Sequence, residues 1–482
     1  MQKLYAPLRH GTSSAPDGSA FRRVGGMLAD LFPEPPEPLE PPEPTASPEP
    51  SASSGRARRW LIVLVYVLSV IAGAAVSLAR YVGTPPWKTI YAEDYGIYMV
   101  QALAHPWRSI FFSYAGYEQL VPRLIAQFVS MLPLADVAAG LAVTGALIAA
   151  ACALFAFHAS AGHVHSRFLR IVLGLSVLLL PVALQEIANS GVNTPWYLLI
   201  ALFWALLWRP RSRPGMAVAA LIGFAAASSN ITAVVFVVLI VLRVAALPRL
   251  REHAVTAGWL AGCAVQVPYL LHSTSTSSSR LSHLATPAQV GSFYGHDVLL
   301  PAFGWHVSWL LRHWVDRNYG VLITGALIAI GVAVALFTGT RRVRLFVVTA
   351  MVFGVIFAGF AGTVTWWVTV NPVKFDFEPG SRYTCLPILL ITAVAIVAID
   401  ARFRGNGRSI AAAAAAAGLV AVLCIGWIPD FRYTAHRGDA PAWAPLLSQW
   451  ADTCRTHGEV RFVGDYVNYG TMVIPCGRIR GQ

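Results

Sequence analysis

The features that most constrain this chain are its uninterrupted apolar runs. A helix needs about 20 apolar residues to cross roughly 30 Å of hydrocarbon. Runs of that kind fall near residues 60–80, 136–158, 169–185, 195–208, 215–228, 231–247, 254–271, 319–338, 345–368, 385–400 and 409–428. Hydrocarbon offers no water to backbone N–H and C=O groups, so such runs must be helical. The reading is an all-α polytopic membrane protein of about eleven transmembrane helices. Composition agrees: 56% hydrophobic and only 12% charged residues lie far from an ordinary soluble protein.

The arginines test the count. They cluster as Arg56, Arg58, Arg59; Arg167, Arg170; Arg209, Arg211, Arg213; Arg243, Arg249, Arg251; Arg341, Arg342, Arg344; and Arg402, Arg404, Arg408. If all eleven runs span, every cluster falls on one side. Positive charge marks the cytoplasmic side, so the amino terminus is expected inside and the carboxyl terminus outside the cytoplasmic membrane. The same layout turns the formal charge of +13 away from nucleic acid. The fourth run is short, and Ser228, Ser229 and Asn230 leave only a tight outer turn between the fifth and sixth. A cleaved signal peptide is the alternative for the first run, but Leu61–Ala79 exceeds the usual core of about 7–15 residues.

Residues 1–55 carry "PEPPEPLEPPEPTASPEPSASSG", too rich in Pro and Glu to bury a core, and are expected to be a disordered or extended cytoplasmic tail. Residues 56–428 form the membrane domain, and 429–482 a small extracytoplasmic tail. Cys454 and Cys476 lie in that tail, where an oxidising compartment favours a disulfide over two free thiols.

On these boundaries no span holds Asp, Glu, Lys or Arg in its central part, which argues against proton-coupled pumps. The first outer loop, residues 81–135, is the longest and concentrates polar and aromatic residues. There Asp94 is placed to cap a helix from Tyr95 to about Ala104. A second, interfacial helix is expected from Pro122, with Leu124, Ile125, Phe128, Val129 and Leu132 on one face and Arg123 and Gln127 on another. The plain readings are a cap for Asp94, a solvated neighbour for Glu93 and a snorkelling or phospholipid-contacting Arg123.

The loop holds "AEDYGIYM" and then "YAGYEQLVPRL". On a multi-span chain that starts inside, this resembles the GT-C superfamily of integral membrane glycosyltransferases, in particular actinobacterial members. Their pattern has an ED pair near a Gly and a Phe, a GY followed shortly by PR, an RY-x-x-x-P opening a late span, and a Cys-containing tail. The matching residues are Glu93, Asp94 and Gly96; Gly116, Tyr117, Pro122 and Arg123; Arg382, Tyr383 and Pro387; and Cys454 with "IPC" ending at Cys476. Tyr98 stands where the pattern has Phe, and the tail's "GDYVNYG" is less rich in Trp.

The resemblance implies a GT-C-like fold and a hexosyl- or pentosyltransferase acting with inversion. It would move sugar from a polyprenyl-phosphate donor to a cell-envelope glycan, lipid or protein on the outer face. In such enzymes a first-loop Asp acts as base or as a metal-associated acid. That role carries to Asp94, with Glu93 beside it, and leaves a divalent metal open as cofactor. The chemistry is consistent: a carboxylate takes the acceptor proton, and a guanidinium matches the leaving phosphate. Arg382 is the first phosphate-binding candidate, Arg123 the second, with Tyr383 and Lys374 as further contacts. The rivals are a lipid-linked saccharide carrier without catalysis and a polysaccharide ligase or polymerase using Arg280, His296, Arg312 and His313. The histidines of that loop match no standard metal spacing.

Overall fold

The computed structural model describes residues 26–34, 52–91, 93–272, 286–364, 381–405, 410–432, 436–463 and 471–480. In chain order its α-helices are α1 (Ala52–Leu78), α2 (Val100–Ala104), α3 (Leu120–Val129), α4 (Val137–Ala159), α5 (Arg167–Leu178), α6 (Ala183–Glu186), α7 (Thr194–Leu207), α8 (Arg213–Ser229) and α9 (Val237–Ala246). There follow α10 (Ala254–His272), α11 (Pro287–Phe293), α12 (Trp305–Trp314), α13 (Arg317–Thr338), α14 (Arg341–Val364), α15 (Cys385–Gly405), α16 (Ile410–Phe431), α17 (Trp443–Thr453) and α18 (Cys476–Arg480). A two-stranded antiparallel hairpin, β1 (Glu459–Val463) with β2 (Thr471–Pro475), pairs Glu459 with Pro475 and Arg461 with Val473.

Seven helices among the described residues are long and apolar enough to cross a membrane: Trp60–Leu78, Leu134–Gly162, Leu250–His272, Asn318–Thr338, Arg341–Ala361, Ser381–Phe403 and Ile410–Phe431. The protein is thus a predominantly helical, multi-pass membrane type with a single hairpin among the described residues. The other four expected spans are shorter: α5 has 12 residues, α7 has 14, α8 has 17, and α9 has 10 after a 3-10 turn at Ile231–Phe236. At about 1.5 Å per residue, the two shortest α-helices among α5, α7 and α8 reach only roughly 18–21 Å.

The sequence shows where each stops. α5 ends before Pro181, so the third apolar run does not continue to residue 185; α6 is a separate turn. Pro214 lies in the first turn of α8, whose start Ser212 caps by accepting from Gly215 N. Asn230 accepts from Thr232 N and restarts the chain as the 3-10 turn. Every residue of α7 is buried, so that helix meets protein rather than lipid and need not match a hydrocarbon thickness.

The bundle has two chemically distinct ends. At one, Asp30 pairs with Arg341 at 3.5 Å, and Glu34 with Arg209 at 3.0 Å and Arg211 at 3.3 Å. Here too Asp400 accepts from His165 N (2.9 Å) and Ser166 N (2.7 Å) at the start of α5, and Arg243 donates to Leu206 O in the last turn of α7 and to Trp208 O just after it. At the other end Arg80, after α1, donates to Leu178 O, Leu179 O and Leu180 O beyond α5. Val121 N reaches Ser229 Oγ at the end of α8 (3.0 Å). α5 therefore runs from the first end to the second, α8 finishes at the second, and α7 finishes at the first.

Residues 26–34 correct the expectation of an extended tail over 1–55. Leu31 and Phe32 are fully buried in the core, beside the ion pairs just named, and α1 starts at Ala52. The remaining Pro/Glu segment lies outside the described residues. The carboxyl-terminal tail packs on the first loop: Tyr95, Tyr98 and Met99 share one apolar cluster with Trp443, Leu447, Ile474 and the Cys454–Cys476 disulfide. Thr84 N donates to Gly438 O (2.8 Å) where Gly83 has φ +87°, and a Cβ on Gly83 would stand 2.5 Å from that oxygen.

Candidate active site

Asp94 does not cap a helix. It opens a π-helical turn, Asp94–Met99, which runs into α2, and its carboxylate reaches across to the loop between α6 and α7. Oδ1 accepts from Val192 N at 2.9 Å and Oδ2 from the Ser190 hydroxyl at 3.1 Å. Asn189 shapes that loop: its backbone is left-handed, at φ +56°, which Asn tolerates. Its side chain is gripped by Ser77, whose hydroxyl donates to Oδ1 (2.8 Å) and whose carbonyl accepts from Nδ2 (2.9 Å). Gly191 leaves no room for more; a Cβ there would meet Leu141 at 3.0 Å and Ile125 at 3.2 Å.

Burial pushes the Asp94 carboxyl up to about 6, opposed by Arg437, the Val192 N–H and the Ser190 hydroxyl, and aided by the charge of Glu93. A buried acid of this kind is still ionised at neutral pH, and is a stronger base than an ordinary carboxylate.

Glu93, also buried, faces Arg382 with Oε1 3.2 Å from Nη1. Arg382 belongs to a 3-10 turn, Ser381–Tyr383, that leads into α15. Glu186 fixes this turn, accepting from Arg382 N at 2.9 Å and the Ser381 hydroxyl at 3.1 Å. The Arg382 guanidinium also lies 5.4 Å from the centre of the Tyr383 ring, which meets Trp196 edge-on. The structure thus brings Asp94, Glu93, Arg382 and Tyr383 together, while Lys374 lies outside the described residues.

Arg123 is placed elsewhere. α3 starts at Leu120, and it turns Arg123 and Gln127 inward with Ile125, Ala126 and Val129, while Phe128 is exposed. The single-face grouping of Ile125 with Phe128, and the snorkelling Arg123, are therefore corrected. Arg123 is 1% exposed, donates to Gln101 Oε1 and lies over the Tyr98 ring at 4.6 Å. A polar chain leads back from there: the Tyr98 hydroxyl donates to Gln119 Oε1 (2.6 Å), and Gln119 Nε2 to the Tyr117 hydroxyl (2.8 Å).

No protein-family model, curated protein or solved structure matches this chain.

Three participants escaped the sequence reading. Arg437 in the tail is buried and donates to Thr89 Oγ1 (3.0 Å), Thr89 O (2.9 Å), Pro86 O (2.8 Å) and Asn189 O. It ties the segment before Asp94 to the loop that holds Asp94. Glu186 and Ser190 lie in the stretch between two apolar runs, where no motif singles them out. Two small facts were available: Asn, Ser and Gly at 189–191 form a turn signal, and Arg437 precedes a Gly-Asp pair.

The carboxylates do not fit a metal as they stand. Both Asp94 oxygens accept hydrogen bonds, Glu93 faces a guanidinium, and no group of three His, Cys, Asp or Glu side chains among the described residues is disposed to hold an ion. Of the residues invoked for a ligase, Arg280 lies outside the described residues, and His313 stacks flat on Trp309 at 5.1 Å between centroids.

Proposed function

We propose that this protein is a membrane glycosyltransferase of GT-C type, moving a sugar from a polyprenyl-phosphate donor to a cell-envelope acceptor on the outer face of the cytoplasmic membrane. The observation that carries the reading is the buried Asp94 carboxylate beside the Glu93–Arg382 pair, at the bundle end opposite the arginine clusters. Those clusters put the ion-paired end in the cytoplasm by the positive-inside rule. The four shorter helices count as crossings in this reading, giving eleven, with the amino terminus inside and the tail outside.

The reaction is a single displacement. The acceptor hydroxyl oxygen attacks the anomeric carbon of the donor, and its proton passes to the Asp94 carboxylate. The bond from that carbon to the phosphate oxygen breaks with its electron pair, so the lipid phosphate leaves with an added negative charge and the sugar inverts. Arg382, with the Tyr383 hydroxyl, stabilises that charge; Glu93 and Glu186 hold Arg382 in place. Hexose and pentose donors are both within the reading.

The test is transfer by the purified protein in proteoliposomes supplied with polyprenyl-phosphate hexoses and pentoses and an envelope-lipid extract. Loss of polyprenyl-phosphate release in Arg382→Ala supports the assignment. Full release in that variant removes Arg382 from the site, and absence of release by the wild-type protein from every donor refutes the transferase reading.

A further inference from the structure

Glu118 and Arg123 form a second polar site that the transfer chemistry above leaves unused. Both are 1% exposed. The backbone of Glu118 is clamped by Gln266 of α10, which accepts from Glu118 N (2.8 Å) and donates to Glu118 O (3.0 Å); Gln266 is anchored in turn on Ala227 O (3.1 Å). Val121 N is held by Ser229. The main chain carrying both charges is thus rigid on the side of the α8–α10 pair.

The charged tips are not satisfied to the same degree. Arg123 uses Nη1 on Gln101, while Nε and Nη2 have no hydrogen-bond partner among the described residues. Neither carboxylate oxygen of Glu118 completes a hydrogen bond there, although the Tyr269 phenol and Gln119 N both approach it, and burial pushes its carboxyl up to about 7. Arg123 and Glu118 sense each other's charge but do not close into an ion pair. Buried polar atoms in native proteins are almost always partnered, so open valences on a carboxyl and a guanidinium held by a fixed main chain mark a place where another group binds.

We infer that Glu118 and Arg123 bind a neutral saccharide through adjacent hydroxyls, and that this is the acceptor subsite. A hydroxyl both donates and accepts, so two neighbouring ones give a proton to the carboxylate and lone pairs to the guanidinium at once. A cation is repelled by Arg123, and a phosphate by the ionised form of Glu118, whose carboxyl burial pushes up to about 7. Tyr269, only partly buried, lies beside the charges with the aromatic surface that suits the C–H face of a sugar ring, whereas the Tyr98 ring is already covered by Arg123. The α3 helix that carries Arg123 also places Ile125 against Gly191, beside Asp94, and the Tyr98–Gln119–Tyr117 chain leads toward Arg382. Only the word acceptor rests on the transferase reading; saccharide binding does not.

The experiment is saturation-transfer NMR on the full-length protein in nanodiscs, with methyl glycosides of hexopyranoses and pentofuranoses, inorganic phosphate as competitor and polyprenyl monophosphate as a separate ligand. At least one glycoside is expected to bind, to weaken by at least about tenfold in Glu118→Gln and in Arg123→Gln, and to ignore inorganic phosphate. Should Arg123→Gln fail to fold, Glu118→Asp, which withdraws the carboxylate by one methylene, is expected to weaken the same glycoside. No glycoside binding in the wild-type protein, or binding undiminished in the folded variants, or displacement by phosphate, overturns the inference. Failure of polyprenyl monophosphate to bind, with glycoside binding intact, strikes the transferase reading instead.

Discussion

Arg382 Nη1 lies 3.2 Å from Glu93 Oε1, although 289 residues of chain separate them. The pair joins the turn before α15 to the first loop and leaves the guanidinium partly accessible while its counter-charge is buried. Removing the cation leaves a buried carboxylate unpaired, whereas removing the carboxylate leaves Arg382 still held through its backbone by Glu186. Transfer is therefore expected to fall by about 10²–10³-fold in Arg382→Ala, as when a transition-state charge loses its donor. It falls less in Glu93→Gln, and the double variant loses less than the sum. Steady-state rates of the four proteins check this, and simple additivity would show that the two side chains act independently.

The pH dependence has a definite sign. With a folded-state pKa of about 6 against an ordinary 3.8, Asp94 is protonated at pH 5 and ionised at pH 7. Transfer should rise through about pH 6 and then level off. For stability the sign is reversed, because the folded state binds this proton more tightly. The protein loses about 3 kcal/mol from this group as pH climbs from roughly 4 to 6, and no more above that. Glu93 and Arg437 are the charges that bear on Asp94, so thermal melts of Asp94→Asn should show this part of the pH slope flattened.

Arg437→Ala should unfold the end that carries Asp94 rather than the bundle. The guanidinium serves acceptors on Pro86, Thr89 and Asn189, and their carbonyls cannot turn to water once buried. A loss of at least about 3 kcal/mol is expected, and Lys, lacking the fork, restores little of it. Protease sensitivity confined to the first loop and the tail would confirm the location; uniform sensitivity along the chain would contradict it.

The disulfide offers a gentler perturbation. Cys454 and Cys476 are 22 residues apart, and opening a loop of that size costs about 3 kcal/mol in the chain-entropy description. Because the tail packs on Tyr95, Tyr98 and Met99, Cys454→Ser with Cys476→Ser should lower the first melting transition and transfer together. Activity unchanged at a lowered melting point would mean that the tail does not steady the site.

How far the fold could be read from the sequence depended on length scale. Apolar runs located helices at all the expected places because burial and hydrogen bonding both favour helix there. They overstated length in the 169–185 run, which stops before Pro181, and in the 231–247 run, whose first six residues form a 3-10 turn, since hydropathy reports apolarity and not termination. At the site, Asp94, Glu93 and Arg382 stood out through the motif resemblance. Arg437, Glu186 and Ser190 did not, because a buried arginine serving carbonyls and a solvated loop arginine look alike in sequence. Arg123 shows the converse: its inward direction follows from the helix starting at Leu120 rather than Pro122 and from the loops packed over it.

Asp94→Asn tests the central claim most directly, because Asn keeps the shape and can still accept from Val192 N, while it removes the basic charge and turns the oxygen that accepts from the Ser190 hydroxyl into an N–H donor. Polyprenyl-phosphate release and thermal stability should be measured on the same reconstituted protein at pH 7. The account predicts release lowered by at least about 10²-fold in a protein that melts no lower than the wild type. Release at the wild-type rate from a folded Asp94→Asn protein would contradict it.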